Sequence, residues 1–310
     1  MTIDSASAGR LTHLGVLRFS GPDSLSFLQG QLSNDTQRLA GNTSLLAAYS
    51  SAQGRVLALI YLLPHSSGVL GILPREILPA TMERMRKFVM RAKVKIEDAG
   101  DSLAVGGRFT VSSSSGAMPS SGTVPSSRAI LPSGGYTETD GMGVAPVARD
   151  ANRHWLIAAP QAFASVDASE AQRVENEWRL ADIRAGLPQI YAATSEAFVA
   201  QMLNLDLLDA ISFTKGCYTG QEIIARTQHL GRIKRRLYRL SLPPGAWSIG
   251  QALRLSDGRQ GRLTEVIDSG GGIEALAVLT VEPGPTADLD PGTAEIAVPA
   301  TELPLPYAPA

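Results

Sequence analysis

The chain is poor in the residues that make disulfides, metal-thiolate sites and membrane spans. It has one cysteine in 310 residues, Cys217, which excludes an internal disulfide and cannot alone complete a four-thiolate iron–sulfur site. Any such cluster belongs to a partner or is shared with one. No apolar run approaches the roughly 18 residues that span a bilayer, so no membrane partner is expected. Residues 1–10 carry one acid and one arginine with no apolar stretch behind them, so neither a secretory signal nor a transit peptide is expected, and the expected location is cytoplasmic. Neither sign of charge dominates. With Lys+Arg 28 against Asp+Glu 29 the formal net charge is −1, so only the local distribution of charge can argue for a polyanionic partner.

What is present is ordinary for a globular protein: 44% apolar and 18% charged residues, over a length that suits two or three domains. Residues 15–19 read as a strand, and Ser20-Gly21-Pro22 supplies a cap with proline at the first helical position. In the following helix Leu25, Leu28 and Leu32 form one apolar stripe, and Asn34-Asp35 has the short polar side chains of a turn. Residues 45–49 and 55–63 form a hairpin about Ala52-Gln53-Gly54, and 69–73 adds a strand. A helix over 77–90 sets Met85, Phe88, Val89 and Ala92 on one side, before a strand at 94–97. Strands and helices alternate, so this part is α+β. Residues 112–135, rich in serine, glycine and proline, read as a mobile surface loop. A strand at 154–158 and a helix at 168–186 follow, the helix carrying Val174, Trp178 and Ile183. Beyond Gly231 the period changes to two. Strands at 238–242, 252–255, 262–267 and 274–281, separated by Asp257-Gly258 and Gly270-Gly271-Gly272, predict a small all-β module that is closed or nearly closed as a barrel. The boundary falls at 1–232 and 233–310.

The densest stretch is Lys215-Gly216-Cys217-Tyr218-Thr219-Gly220-Gln221-Glu222. Thr219 with Glu222 three residues on is a capping box, so a helix should start at Gly220 or Gln221, run through Ile223, Ile224 and Arg226, and stop near Gly231. Cys217 then lies just outside a helix N-terminus with Lys215 two residues away, and both features favour the thiolate. Gly216 and Gly220 leave room for a partner at the sulfur. The competing reading is a small hydrophobe filling a turn.

This motif, with Asn204-Leu205 and Ile211-Ser212-Phe213 before it and Ala225-Arg226 after it, resembles the signature of the YgfZ family. The resemblance extends through Ser20-Gly21-Pro22, Phe27-Leu28-Gln29-Gly30-Gln31-Leu32, Asn34-Asp35 and Arg91-Ala92-Lys93-Val94, and fades beyond about residue 245. It implies folate-binding proteins related to the glycine-cleavage T-protein and tied to iron–sulfur cluster maintenance and tRNA modification. The implied fold is α+β, with interleaved ferredoxin-like subdomains around a folate cleft plus a small C-terminal β-barrel. The implied cofactor is tetrahydrofolate or another reduced folate, and the implied partners are iron–sulfur clients such as tRNA-thiolating enzymes. Cys217, Lys215 and Glu222 are the reactive set. Asn34 and Asp35 lie at the folate cavity, joined by Leu14, Tyr218, Gln221 and Arg226. Trp178 is either a face for the pterin or benzoyl ring or plain helix core. Leu14 stands where some relatives have a tryptophan. No resident metal is implied.

Three functions compete. A folate-linked assembly factor, not a conventional enzyme, is favoured. A folate-dependent aminomethyl transferase of T-protein type is opposed by the strand at 55–63, which lacks the aspartate those enzymes use, and by Cys217, which stands where T-proteins tend to carry an acid. An RNA-binding accessory factor would rest on Arg226, Arg232, Lys234, Arg235, Arg236 and Arg239, with only Glu222 opposing them, but Tyr238 alone supplies an aromatic there, so direct nucleic-acid binding is not expected.

Overall fold

A computed structural model describes residues 8–109, 135–147, 150–229, 231–283 and 297–307. Residues 112–134 of the serine-rich stretch lie outside them.

Three five-stranded sheets carry the fold. β1 (Ala8–Arg10) belongs to the second sheet, although the chain then enters the first, and this crossing interleaves the two subdomains. The first sheet takes β2 (Leu14–Ser20), β3 (Leu45–Ser50), β4 (Val56–His65), β5 (Gly68–Pro74) and β6 (Lys95–Asp98) in the order β3-β4-β5-β2-β6, all antiparallel. With helix α1 (Ser24–Gln31) after β2 and α2 (Leu78–Arg86) after β5, the pattern is β-α-β-β-β-α-β, a ferredoxin-like unit with β3 added at one edge. The second sheet takes β7 (Ala104–Phe109), β8 (Thr137–Thr139), β9 (Met142–Val147) and β10 (Asp150–Ala158), ordered β1-β7-β10-β9-β8. Helix α3 (Ala168–Ala185) packs on β1 and β7. Asp167 caps its start by accepting from the Ser169 amide at 2.8 Å, and Gly186 ends it at φ +66. Helix α4 (Gln221–His229) precedes the third sheet.

That third sheet holds β11 (Arg235–Leu242), β12 (Ala252–Arg254), β13 (Gln260–Asp268), β14 (Ile273–Thr280) and β15 (Thr301–Leu303), ordered β12-β13-β14-β11-β15. The expected barrel is not seen closed among the described residues. A single bridge, Leu255 to Val298, lies between the two edges, where closure needs a continuous ladder between edge strands.

One core runs through both α+β subdomains and takes in Leu237, Leu276 and Val278 from the third sheet, whose other face has its own cluster around Leu240, Leu263 and Ala277. Two expected helix details differ. α1 begins at Ser24 rather than at Pro22, because Gly21 adopts φ +110 over the Lys93 carbonyl. α2 ends at Arg86, leaving Phe88 47% and Met90 89% exposed, so only Met85 of the predicted stripe is fully buried. No described helix is long and apolar enough to cross a membrane.

Candidate functional site

The motif loop is held by the end of α1. Lys215 Nζ donates to three main-chain carbonyls, Gln29 at 2.6 Å, Leu32 at 2.7 Å and Asn34 at 2.9 Å, and sits 4.9 Å from the Tyr218 ring centre. Those carbonyls lie in and just after the last turn of α1, where a helix leaves acceptors unpaired, so an ammonium with three protons is a fitting cap. Burial pulls the lysine's pKa down to about 8, partly opposed by Asp35. The sequence suggests Lys215 as a cation beside the thiol. In the structure its protons point away, into α1.

The loop closes against the β3–β4 turn. A Cβ on Gly220, at φ +82, would lie 2.6 Å from the Ser51 carbonyl, and one on Gly54, at φ +70, would lie 2.8 Å from Ile223. Both positions therefore demand glycine. Gly216 meets nothing within 4 Å. α4 begins at Gln221 as predicted, but the side chain serving its entry is that of Gln221, accepting from the Tyr218 amide at 3.3 Å, and among the described residues no bond from Thr219 or Glu222 completes a capping box. Gln201 Nε2 fixes the helix by donating to the Ile224 carbonyl at 2.7 Å.

Tyr218 is buried, which pushes its phenol up to about 12, while the next residue back, Cys217, is exposed. The small-hydrophobe reading of the cysteine therefore fails. Glu222 and Arg226 are exposed, as is Phe213 at 38%. No hydrogen bond joins a histidine or carboxylate to Cys217 among the described residues. Groups of three or more potential metal ligands are likewise absent among them. The arrangement supplies a soft nucleophile or single metal ligand without its own base.

The other predicted residues divide into two places. Asn34 and Asp35 sit at the motif, but the Asn34 side chain is spent on the fold: it donates to the Leu46 and Asp209 carbonyls at 2.8 and 2.7 Å and accepts from the Asp35 amide at 2.8 Å. Asp35 accepts from Gln29 Nε2 at 2.9 Å. Leu14 is buried at the start of β2. Trp178 lies apart, fully buried against Trp155 at 4.8 Å and Phe109 at 5.9 Å, with the Arg153 guanidinium 4.7 Å from its ring. It is not an open face. The approach needs Gly107, whose Cβ would lie 2.3 Å from the indole.

Around Trp178 stands a polar cluster that the sequence reading missed. Arg153, 1% exposed, donates to Asp182 at 2.7 Å, to Asp150 at 2.6 Å and to the Trp178 carbonyl at 3.1 Å. Burial alone would lower its pKa, and the two aspartates hold it above the ordinary value. Burial likewise raises Tyr61, whose ring lies 5.1 Å from that of Trp155. Tyr61 Oη, Trp178 Nε1 and one Arg153 Nη are buried without a partner among the described residues. An arginine in a nine-residue strand of otherwise mixed pattern was the available signal.

Half of the predicted basic stripe is neutralised by carboxylates. Arg236 is buried and bidentate to Asp206 at 2.7 and 3.0 Å, Arg239 pairs with Glu274 at 2.7 Å, and Arg232 pairs with Glu282.

Comparison with known proteins accords with this geometry. No family model matches the chain. A "tRNA-modifying protein YgfZ" of Pectobacterium carotovorum is 31% identical over 230 residues, covering 71% of this chain and 66% of that protein. One of Yersinia pestis is 29% identical over 252 residues, covering 77% and 70%. The chain thus spans just under two thirds of the Pectobacterium relative. A solved structure, the glycine cleavage system aminomethyltransferase T from Bartonella henselae, superposes with a TM-score of 0.62 at 13% identity, covering 89% of this chain and 79% of that one, and shares the fold. On the strength of the sequence relatives, this chain belongs to the YgfZ family.

Proposed function

We propose that the chain is a reduced-folate-binding accessory protein that works in iron–sulfur cluster assembly or repair, and thereby in tRNA modification, through Cys217. The observation that carries this reading is the placement of the chain's only thiol: exposed, next to a glycine with open space around it, on a loop locked to α1 by three lysine hydrogen bonds. Such a thiol meets a partner's metal or sulfur without rearrangement of the fold. Clients such as tRNA-thiolating enzymes in the cytoplasm fit this chemistry.

The orphaned buried groups around Trp178 fit a reduced folate. Tyr61 Oη, Trp178 Nε1 and the free Arg153 Nη, among tilted aromatic rings and beside Asp182, match the polar edge of a pterin. In this reading Tyr61, Arg153, Trp178 and Asp182 hold the ring. Tetrahydrofolate, when bound, supplies nitrogens able to carry a one-carbon unit. Asp182 and Arg153 orient it and keep water from the ring edge.

Aminomethyl transfer, the activity named for the Bartonella neighbour, is the second reading. β4 reads Val-Leu-Ala-Leu-Ile-Tyr-Leu-Leu-Pro-His and carries no carboxylate to attract charge at the folate nitrogen, which favours binding without rapid transfer.

Calorimetric titration with tetrahydrofolate tests the reading. Binding is expected for the parent and for Cys217→Ser, with at least tenfold weaker binding for Tyr61→Phe and Trp178→Phe. Cys217→Ser should fail to support tRNA thiolation in cells lacking the native protein. No heat and no thermal stabilisation at millimolar folate would remove the folate claim, and full complementation by the serine variant would remove the thiol claim.

A further inference from the structure

We infer that the turn after α2 is an RNA-binding face. Residues 84–95 read Arg-Met-Arg-Lys-Phe-Val-Met-Arg-Ala-Lys-Val-Lys, and all six cations are exposed. Two of them are neutralised: Arg86 by Glu83 at 2.9 Å and Lys95 by Glu97 at 2.8 Å. Arg84, Lys87, Arg91 and Lys93 have no carboxylate partner among the described residues. Between them stand Phe88 and Met90, two of the exposed large apolar side chains of the protein.

The face is held rigidly. The Lys93 amide donates to Asp23 Oδ2 at 2.6 Å, and the Arg86 guanidinium grips the Ile96 carbonyl at 2.7 and 3.2 Å. Met90 takes φ +39, which turns the chain sharply. Fixed cations lose less entropy on meeting phosphates than a free tail does. Beside them a cleft of about 390 Å³ opens, walled by Arg84 and Lys87 and backed by Tyr49 and Leu57. Its two carboxylates are already engaged, Glu76 with the Ala192 amide and Glu83 with Arg86, so its free charge is positive. A cleft of that size admits one unpaired base, and Phe88, exposed next to the lining residue Lys87, offers a stacking surface to another.

An anionic membrane is the competing partner. α2 turns Leu78, Met85 and the small Thr81 into the core, and the two exposed apolar side chains beyond its end are too small a face to hold a helix in a bilayer interface. Free cations with a recess for a base favour RNA.

The probe is an unmodified tRNA transcript, a choice that rests on the proposed role in tRNA modification. The full chain should bind it with an affinity that falls as salt rises. Lys87→Gln/Arg91→Gln/Lys93→Gln should weaken binding at least tenfold and lower the slope of log K against log salt by about 2 to 3. Phe88→Ala should weaken binding with the slope unchanged. Arg232→Gln, at the neutralised stripe, should bind as the parent does. Unaltered binding by the triple variant, no binding at low salt, or binding of phosphatidylserine vesicles in preference to RNA would each overturn the inference. Tetrahydrofolate titration of the same variants separates the two claims, since folate binding is expected to survive all of them.

Discussion

Replacing Arg236 with methionine should destabilise the protein more than removing any surface charge. The guanidinium is 3% exposed and makes four contacts: both Asp206 oxygens at 2.7 and 3.0 Å, the Gln201 carbonyl at 3.0 Å and Asn204 Oδ1 at 3.5 Å. Methionine keeps the length of the stem and leaves a carboxylate, itself 7% exposed in its side chain, without a cation. Breaking one side of such a pair costs about 3 to 5 kcal/mol, because the remaining charge stays desolvated. With a urea dependence of about 3 kcal/mol per molar for a chain of this size, the midpoint should fall by about 1 to 1.7 M. Tryptophan fluorescence follows it, with Trp155 and Trp178 in the α+β part and Trp247 on the loop between β11 and β12, packed against the third sheet. Arg236→Met with Asp206→Leu should recover most of the loss, since a buried pair exchanged for apolar groups is often neutral. A midpoint change under about 0.3 M for Arg236→Met, or a double variant as unstable as the sum of the singles, would refute a buried pair.

Other perturbations separate structural from functional parts. Glu175 accepts from the Thr12 amide and hydroxyl at 2.5 and 2.8 Å and lies 3.3 Å from His13; against the burial that raises its pKa, these hold it at about 2. Its folded value lies below the unfolded one, so its contribution is complete above about pH 4.5 and is lost as pH falls toward 2; thermal melts across this range should show Glu175→Gln lacking that loss. Gly220→Ala should cost about 2 kcal/mol or more, from φ +82 and the Ser51 carbonyl, whereas Gly216→Ala should stay within about 0.5 kcal/mol in urea unfolding. Cys217 should react fully with iodoacetamide in the folded protein, and a thiol that reacts only on unfolding would contradict its exposure.

Local rules made much of this fold legible. The period-two strands from Tyr238 onward and the extent of α3 follow from patterns read one segment at a time, and α4 starts where the Thr219–Glu222 spacing put it although that capping box does not form. β7 escaped because Ala104-Val105-Gly106-Gly107 looks like a loop. Its glycines exist to admit Phe163 and Trp178, a requirement set by residues more than fifty positions away. Arg236 was counted as surface charge, yet it shares the parity of Tyr238 and Leu240, which already pointed inward. Phe88 was assigned to the core because helical periodicity was carried past Arg86, where Met90's backbone ends it. At the motif, the cysteine's exposure was readable from the glycine before it, while the direction of the lysine was not, since it depends on where α1 ends in space.

That direction constrains the chemistry of Cys217. Lys215 has three protons and gives each to a carbonyl at or just beyond the end of α1, so turning it toward the thiol would break all three and leave those acceptors partly buried and unpaired, at about 1 to 3 kcal/mol apiece. Such a cost exceeds what one exposed cation can return to a thiolate in water, typically under 1 kcal/mol. The lysine therefore serves the position of the sulfur and not its charge. With no histidine or carboxylate bonded to the thiol among the described residues, any base or metal that activates it must arrive with the partner. The glycine at 216 keeps that approach open, while the one at 220 lets the loop close on Ser51 so that the sulfur stays at the surface when the partner comes.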